Sequence, residues 1–534
     1  VERVRDIKLL DCTLRDGGYI NNWDFGYNHI VSLFERSAAA GTDFIEVGFL
    51  DSRVKFDINK TIMPDTDSAD KIFAGLDKKN SEIVCMIDYG TCPLENIRPA
   101  SETIVDCIRV IFKKHLREPA MRFCAELKKL GYRVFAQLVS VTSYNDDEMH
   151  DLIRIANEVK PYAVSMVDTY GLLHQNSLKR WFELINAELS PDIALGYHAH
   201  NNFQMAYANC ITFLAGNTER TVLVDGTIYG MGKSAGNAPI ELLVMHLNKV
   251  CGKHYNIDQF LEAIDSDILL LCPPQPWGYS LHFFLAASND CHPNYVSALV
   301  GKRTLSVKSI DEILKRIDNE KKLMYDKDYI EKLYREYQSN DIDDTRDIQK
   351  LSGLLGGKEI LVLGPCVQEG YADKIQKRAE NSIVIAINFA PKDIRCDYVF
   401  LCNSKRYIQL AAELAQNEHK YKVIATSNVT KTNGIFDYTI NYGALYDEGA
   451  DPEYADNAFV MLMRFLKKAG AGKVYIAGVD GYRGINIPKP EFKTEYRYSV
   501  ERAEELNAYI KTRLHELSPA LDWEFEVKAG NYDF

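Results

Sequence analysis

No Cys-x-x-Cys pair occurs in the 534 residues, although the chain carries 12 cysteines. Several of these, Cys85, Cys107 and Cys402 among them, sit inside apolar runs, where a reduced core thiol is the natural state, and a cytoplasmic location is expected. No uninterrupted apolar stretch approaches the roughly 20 residues of a membrane span. The opening "VERVRDIKLL" has no apolar signal core. Positive charge is not in excess: Lys and Arg total 63 against 75 Asp and Glu, a formal net charge of -12. That balance argues against general affinity for nucleic acid or an anionic membrane, while leaving room for a local basic pocket. Internal repeats and low-complexity segments are also missing. What remains, 46% hydrophobic and 26% charged residues, is the balance of a globular enzyme with more than one core.

The first half shows short apolar runs separated by helical segments: "IKLLDCTL", "FIEVGFL", "EIVCMIDYG", "IVDCIRVIF", "YRVFAQLVSV", "YAVSMVDTYG", "IALGYHAHNN" and "TVLVDGTIYG". Strands that are apolar throughout and alternate with helices indicate a parallel sheet covered on both faces. Eight such units in about 250 residues predict a (β/α)8 barrel, here assigned to residues 1–303. A doubly wound open sheet is the alternative. It would not require polar residues at the ends of so many separate strands, yet Arg15 and Asp16, Glu46, Asp88, Thr142, Asp168 and Thr169, His198 and His200, and Asp225 all fall there. Barrel enzymes collect their chemistry from such ends.

A charged, helical stretch over 304–354 reads as a connector. From 355 to 534 a second alternation, "EILVLGPC", "IVIAINFA", "DYVFLCN", "KVIATSN", "DYTINYG" and "KVYIAGVDGY", predicts a Rossmann-like open parallel sheet of about six strands. The fold class is therefore α/β in both halves.

In "GYHAHNN" the histidines are one residue apart, so on a strand both imidazoles face the same side. Two strand histidines can simply hydrogen-bond in a polar barrel interior. With the strand-end carboxylate Asp16 they instead make an open-sided ligand set for manganese, magnesium, cobalt or zinc. Arg15 cannot be a ligand, and a buried guanidinium beside a metal calls for an anionic substrate. A metal chelating a 2-oxo acid, with an arginine where enolate charge develops, serves to make or break a carbon–carbon bond. The plainer reading makes Arg15 and Asp16 a structural ion pair at a turn.

"DCTLRDGG", "IEVGF", "VDTYG", "HAHNN" and "GMGKSAGNAPIE" resemble, in order and spacing, the DRE-TIM metallolyases, the superfamily of 4-hydroxy-2-oxovalerate aldolase, hydroxymethylglutaryl-CoA lyase and isopropylmalate synthase. The resemblance covers about the first 300 residues. It implies that Asp16, His198 and His200 bind the metal, that Arg15 stabilises an enolate, and that Glu46 and Thr169 line the pocket. Asn237 matches a further ligand of some members; a turn asparagine satisfying loop backbone is the alternative. The aldolase branch fits best, since the loop "GCPYA" of the hydroxymethylglutaryl-CoA lyases is replaced by "GMGKSAGN". The implied reaction is a reversible aldol between pyruvate, or a similar 2-oxo acid, and an aldehyde. The family also implies a homo-oligomer.

One departure concerns proton transfer. The pyruvate aldolases carry a histidine three residues after the metal aspartate, and this chain has Tyr19. A phenol with an ordinary pKa of about 10 is a poor base at neutral pH. Tyr19 then acts as a hydrogen-bond donor, and the base is a water on the metal, His292 or Tyr295 from "CHPNY"; a helix-ending turn is the alternative for that segment. The C-terminal half is remotely similar to bacterial sialyltransferases and pterin pyrophosphokinase-like proteins. By that likeness Gly364 and Pro365, where "EILVLGPC" turns, would present backbone to a nucleotide or nucleotide-sugar, and the aldehyde acceptor would be a sugar. Two other functions stay open: a silent barrel that binds a metabolite and regulates the C-terminal domain, and a Claisen condensation using an acyl-CoA.

Overall fold

The computed structural model describes residues 6–273, 277–366, 371–416, 420–430, 434, 436–479, 481–482, 485–486, 496–497 and 499–527. The chain divides into two compact units, Val1–Pro293 and Asn294–Phe534. The helices at Val307–Leu314, Lys327–Gln338 and Thr345–Leu355, anticipated as a connector, belong to the second unit.

The first unit is the predicted barrel. Its strands are β1 (Ile7–Asp11), β2 (Phe44–Leu50), β3 (Glu82–Asp88), β4 (Cys107–Phe112), β5 (Arg133–Leu138), β6 (Ala163–Asp168), β7 (Ala194–Ala199) and β8 (Val222–Gly226). Each pairs in parallel with the next, and β1 closes the sheet by pairing with both β2 and β8. Alternation with period 2 sorts the interior into layers. The lowest layer takes one buried apolar residue from every strand: Leu10, Phe44, Val84, Cys107, Phe135, Ala163, Ala194 and Leu223. Two residues further along, the second layer is polar and holds Glu46, Arg109, Gln137, Ser165 and Asp225, all 2% exposed or less. The apolar floor excludes water from below, so these charges must satisfy one another. Outside the barrel a continuous hydrophobic cluster seats the helices on the strands.

The second unit holds seven parallel strands: β9 (Ile360–Leu363), β10 (Ile383–Ile387), β11 (Tyr398–Leu401), β12 (Lys422–Thr426), β13 (Tyr438–Ile440), β14 (Lys473–Ala477) and β15 (Asp522–Phe525). Their order is β13-β12-β11-β10-β9-β14-β15. Ile360 and Val362 belong to the core on one face, Leu361 and Leu363 to the core on the other. Six of the strands are those read from the sequence. The seventh, β15, alternates exposed and half-buried residues at the sheet edge, so it has no apolar run to betray it.

Candidate metal centre

The chain turns sharply after β1. Asp11 accepts from the Thr13 amide at 2.9 Å, and Thr13 Oγ1 accepts from the Ile228 amide at 2.8 Å, which ties the turn to the end of β8. The short helix Thr13–Asp16 then delivers Arg15 and Asp16 to the barrel mouth. The glycine pair that follows has a steric cause: a Cβ on Gly18 would overlap the indole of Trp23, whose Nε1 donates to the Arg15 carbonyl at 2.8 Å.

His198 and His200 project from β7 and the residue just beyond it, and each offers a nitrogen close to Asp16. His198 Nε2 lies 3.1 Å and His200 Nε2 3.7 Å from Asp16 Oδ2. Among the described residues neither Asp16 oxygen accepts an aligned hydrogen bond, although the residue is fully buried. Asn237, 2% exposed, pairs with His200 as an isolated bridge, and its Oδ1 is also without a partner among the described residues. Buried oxygens in that state are costly unless a cation claims them. A Cβ on Gly232 would strike the Asn237 amide and crowd the Asp16 carboxyl, so the loop after β8 must carry glycine there. One carboxylate and two imidazoles whose ligand atoms lie within 4.8 Å of one another, with the Asn237 amide and the Asp16 carboxyl both flanking Gly232, fit a divalent cation.

Electrostatics prepare the same set. Burial pushes Asp16 up, but Arg15 and the two imidazoles outweigh it and hold the carboxyl well below its usual range. Burial drives His200 down to about 3, leaving it neutral with a free lone pair. His198 Nδ1 sits 3.1 Å from Asp225 Oδ2, the second-layer contact that turns Nε2 toward a ligand.

These contacts close into a ring of alternating charge. Arg15 Nε donates to Glu46 at 2.7 Å, and Arg109 Nη1 donates to the same oxygen at 3.2 Å. Arg109 Nη2 bonds Asp225, Asp225 bonds His198, His198 meets Asp16, and Asp16 lies 3.3 Å from Arg15 Nη1. Glu46 therefore sits beneath Arg15 as its support, fully buried. Arg109 was not singled out from the sequence. The one signal was a charge within the apolar run "CIRVIF", which marks a polar interior layer only once the barrel is known.

The other sequence candidates spread out. Tyr19 packs edge-on against Trp23 and Phe49 at ring distances of 4.8 and 6.2 Å, and burial and Asp16 push its phenol up to about 12. Thr169 Oγ1 accepts from the Ser140 amide at 2.8 Å. His292 packs edge-on against Tyr170 at 6.0 Å; burial and Lys233 lower it to about 4. Tyr295 lies in the second unit, wholly buried, its hydroxyl bonding the Lys321 and Met324 carbonyls and accepting from the Asp326 amide. Gly364 and Pro365 follow β9, whose neighbours β10 and β14 continue the chain in opposite directions. The Gly364 amide donates to the Ala477 carbonyl at 2.8 Å, and a Cβ there would overlap the Gly478 backbone.

Residues 6–265 match the family model described as HMGL-like. The barrel is an HMGL-like domain. Its motifs and its closed eight-strand sheet agree with the DRE-TIM metallolyase resemblance, and a candidate metal site lies within it. Among curated proteins it is similar to oxaloacetate decarboxylase of Mycobacterium tuberculosis, at 26% identity over 291 residues, 52% of this chain and 82% of that protein. It is also similar to 4-hydroxy-2-oxovalerate aldolase 2 of Salinispora arenicola, at 27% identity over 243 residues, 45% and 68% of the two chains. A solved structure, the N-terminal domain of a proposed aldolase from Bacteroides vulgatus, covers 57% of this chain and 99% of its own, at 25% identity and a TM-score of 0.49. Among the described residues no helix of the HMGL-like domain, or of the second unit, is long and apolar enough to cross a membrane.

Proposed function

We propose that this protein is a divalent-metal-dependent carbon–carbon lyase of the aldolase type, acting on a 2-oxo acid and an aldehyde. The observation that carries the proposal is the group of unsatisfied buried oxygens of Asp16 and Asn237 beside His198, His200 and Arg15. Asp16, His198, His200 and Asn237 would hold the ion, manganese or magnesium by preference. When bound, it supplies a Lewis acid for the keto and carboxylate oxygens of the substrate. Arg15, gripped through Nε by Glu46 and with Nη1 beside Asp16, would offer Nη2 to the oxygen on which enolate charge develops. His292 is neutral at physiological pH and is the candidate acceptor of the C3 proton, whereas a phenol at about 12 is confined to donating a hydrogen bond. Thr169, with its hydroxyl bound to the Ser140 amide, would shape the pocket wall.

The test is metal content. Wild-type protein should retain close to one manganese per chain after gel filtration, and Asp16→Asn should retain almost none. Equal retention by the variant would refute the assignment of ligands.

A second reading, a barrel that binds a 2-oxo acid without turning it over, draws on Tyr19 standing where the aldolases have a basic histidine. For the second unit we infer a nucleotide or nucleotide-sugar site at Gly364 and Pro365. Open parallel sheets bind ligands outside the strand ends where the connections diverge, and Gly364 lets two backbones meet there. A thermal shift of the full chain by nucleoside diphosphate sugars, lost in Gly364→Val, is the expected result; no shift with any of them would refute the site.

A further inference from the structure

Each guanidinium of the ring at the barrel mouth has its anion: Arg15 has Glu46 and Asp16, and Arg109 has Glu46 and Asp225. Lys233 stands outside that ring. It lies in the loop "GMGKSAGN" after β8, four residues before Asn237, half-buried, with its ammonium 5.4 Å from the centre of the Tyr19 ring. Among the described residues no carboxylate lies within 4.0 Å of it, and its ammonium donates no hydrogen bond. Of the charged groups that act on it, Asp16 favours the ammonium and Arg15 opposes it. A cation held partly out of water beside a guanidinium, with no carboxylate in contact, is stabilised when an anion arrives.

The position says which anion. The carboxylate and keto oxygens of a 2-oxo acid belong at Asp16, His198, His200 and Arg15. The Lys233 ammonium lies over the ring of Tyr19, a residue 40% exposed, on the solvent side of the site. A group reaching it must extend from the reacting carbons toward solvent.

We propose that Lys233 is a specificity-determining residue that receives a second anionic group, distal to the reacting carbons, so that the substrate class is 2-oxo acids or aldol adducts bearing an additional carboxylate or phosphate. This rests on the lyase reading above, since the near end of the ligand is placed by the metal centre. The ammonium pairs with the distal group as a point charge, which favours an anionic ligand over a neutral one of the same length. The interaction also fixes the orientation of the chain that leaves the metal centre.

The experiment uses the full chain loaded with manganese and isothermal titration calorimetry. The distal-anion ligands are 2-oxoglutarate, for a carboxylate, and 3-phosphonopyruvate, for a phosphate-like group; the neutral comparisons are 2-oxohexanoate and 2-oxobutanoate. Wild-type protein should prefer at least one anionic ligand over its neutral counterpart by roughly tenfold or more. The stronger of the two arms identifies the group. Lys233→Met should bring that ratio close to one, and Lys233→Arg should restore a substantial part of it, which a mere loss of folding would not allow. A wild-type ratio near one in both arms, or a ratio unchanged in Lys233→Met, would overturn the proposal while leaving the lyase reading intact. If none of the four ligands, nor oxalate, binds the manganese-loaded wild type, the lyase reading falls and takes the proposal with it.

Discussion

At the scale of single residues, the proposed function makes His292, rather than Tyr19, the acceptor of the substrate proton. Burial and Lys233 place the His292 imidazole at about 4, below its ordinary value of 6.5. Its proton-accepting form is therefore present above that value and lost below it. Exchange of pyruvate C3 protons should be level between about pH 5 and 8 and fall as pH drops through 4; a rate that instead climbs toward pH 12 would point to Tyr19. His292→Gln should slow exchange by roughly 10²- to 10⁴-fold. The same depressed value has a cost to folding: the unfolded chain takes up a proton at higher pH, so this residue's contribution to stability is lost progressively as pH falls from 6.5 toward 4. Arg15, Asp16, His198 and His200 could be named as candidates from the sequence because short spacings at strand ends have few meanings. The sequence could not separate His292 from Tyr295, three residues apart in "CHPNY", since only packing assigns the tyrosine to carbonyls of the second unit.

At the scale of elements, what matters is the second interior layer of the barrel. Strands β2, β4 and β8 each lend one charged side chain, Glu46, Arg109 and Asp225, and these tie the turn carrying Arg15 to the strand carrying His198. Arg109→Met should strand two buried carboxylates and destabilise the barrel by about 3–5 kcal/mol in urea denaturation. It should also weaken manganese binding by roughly 10- to 100-fold, because Asp225 no longer fixes the His198 ring. A loss under 1 kcal/mol would mean that water or protonation replaces the arginine, and the ring would then have no positioning role. The strands themselves were legible as apolar runs. The layer was not, because a charge in mid-strand carries no mark of which face it takes until the barrel closes.

At the scale of the molecule, the two units have separate hydrophobic cores, and among the described residues both candidate metal-ligand groups, which share His198, lie in the HMGL-like domain. Ligand binding stabilises the fold that binds it by about 2.7 kcal/mol at a hundredfold excess over Kd. Calorimetry of the full chain should then show one unfolding transition that rises with manganese and one that does not, and Asp16→Asn should abolish the rise. The order of the units was readable from the two successive alternations of strand and helix. The second unit's edge strand was hidden by its exposure, and its chemistry was not readable, since a glycine turn after a strand is common to many functions. The claim on which the rest depends is that the barrel enolises a 2-oxo acid. It is tested most directly by proton NMR of pyruvate in heavy water with the full chain and added manganese, the metal being removed before acquisition. Loss of the methyl signal with wild type, and its persistence with Arg15→Ala and His200→Ala, is the predicted result; loss at the same rate in all three, or in none, would contradict it.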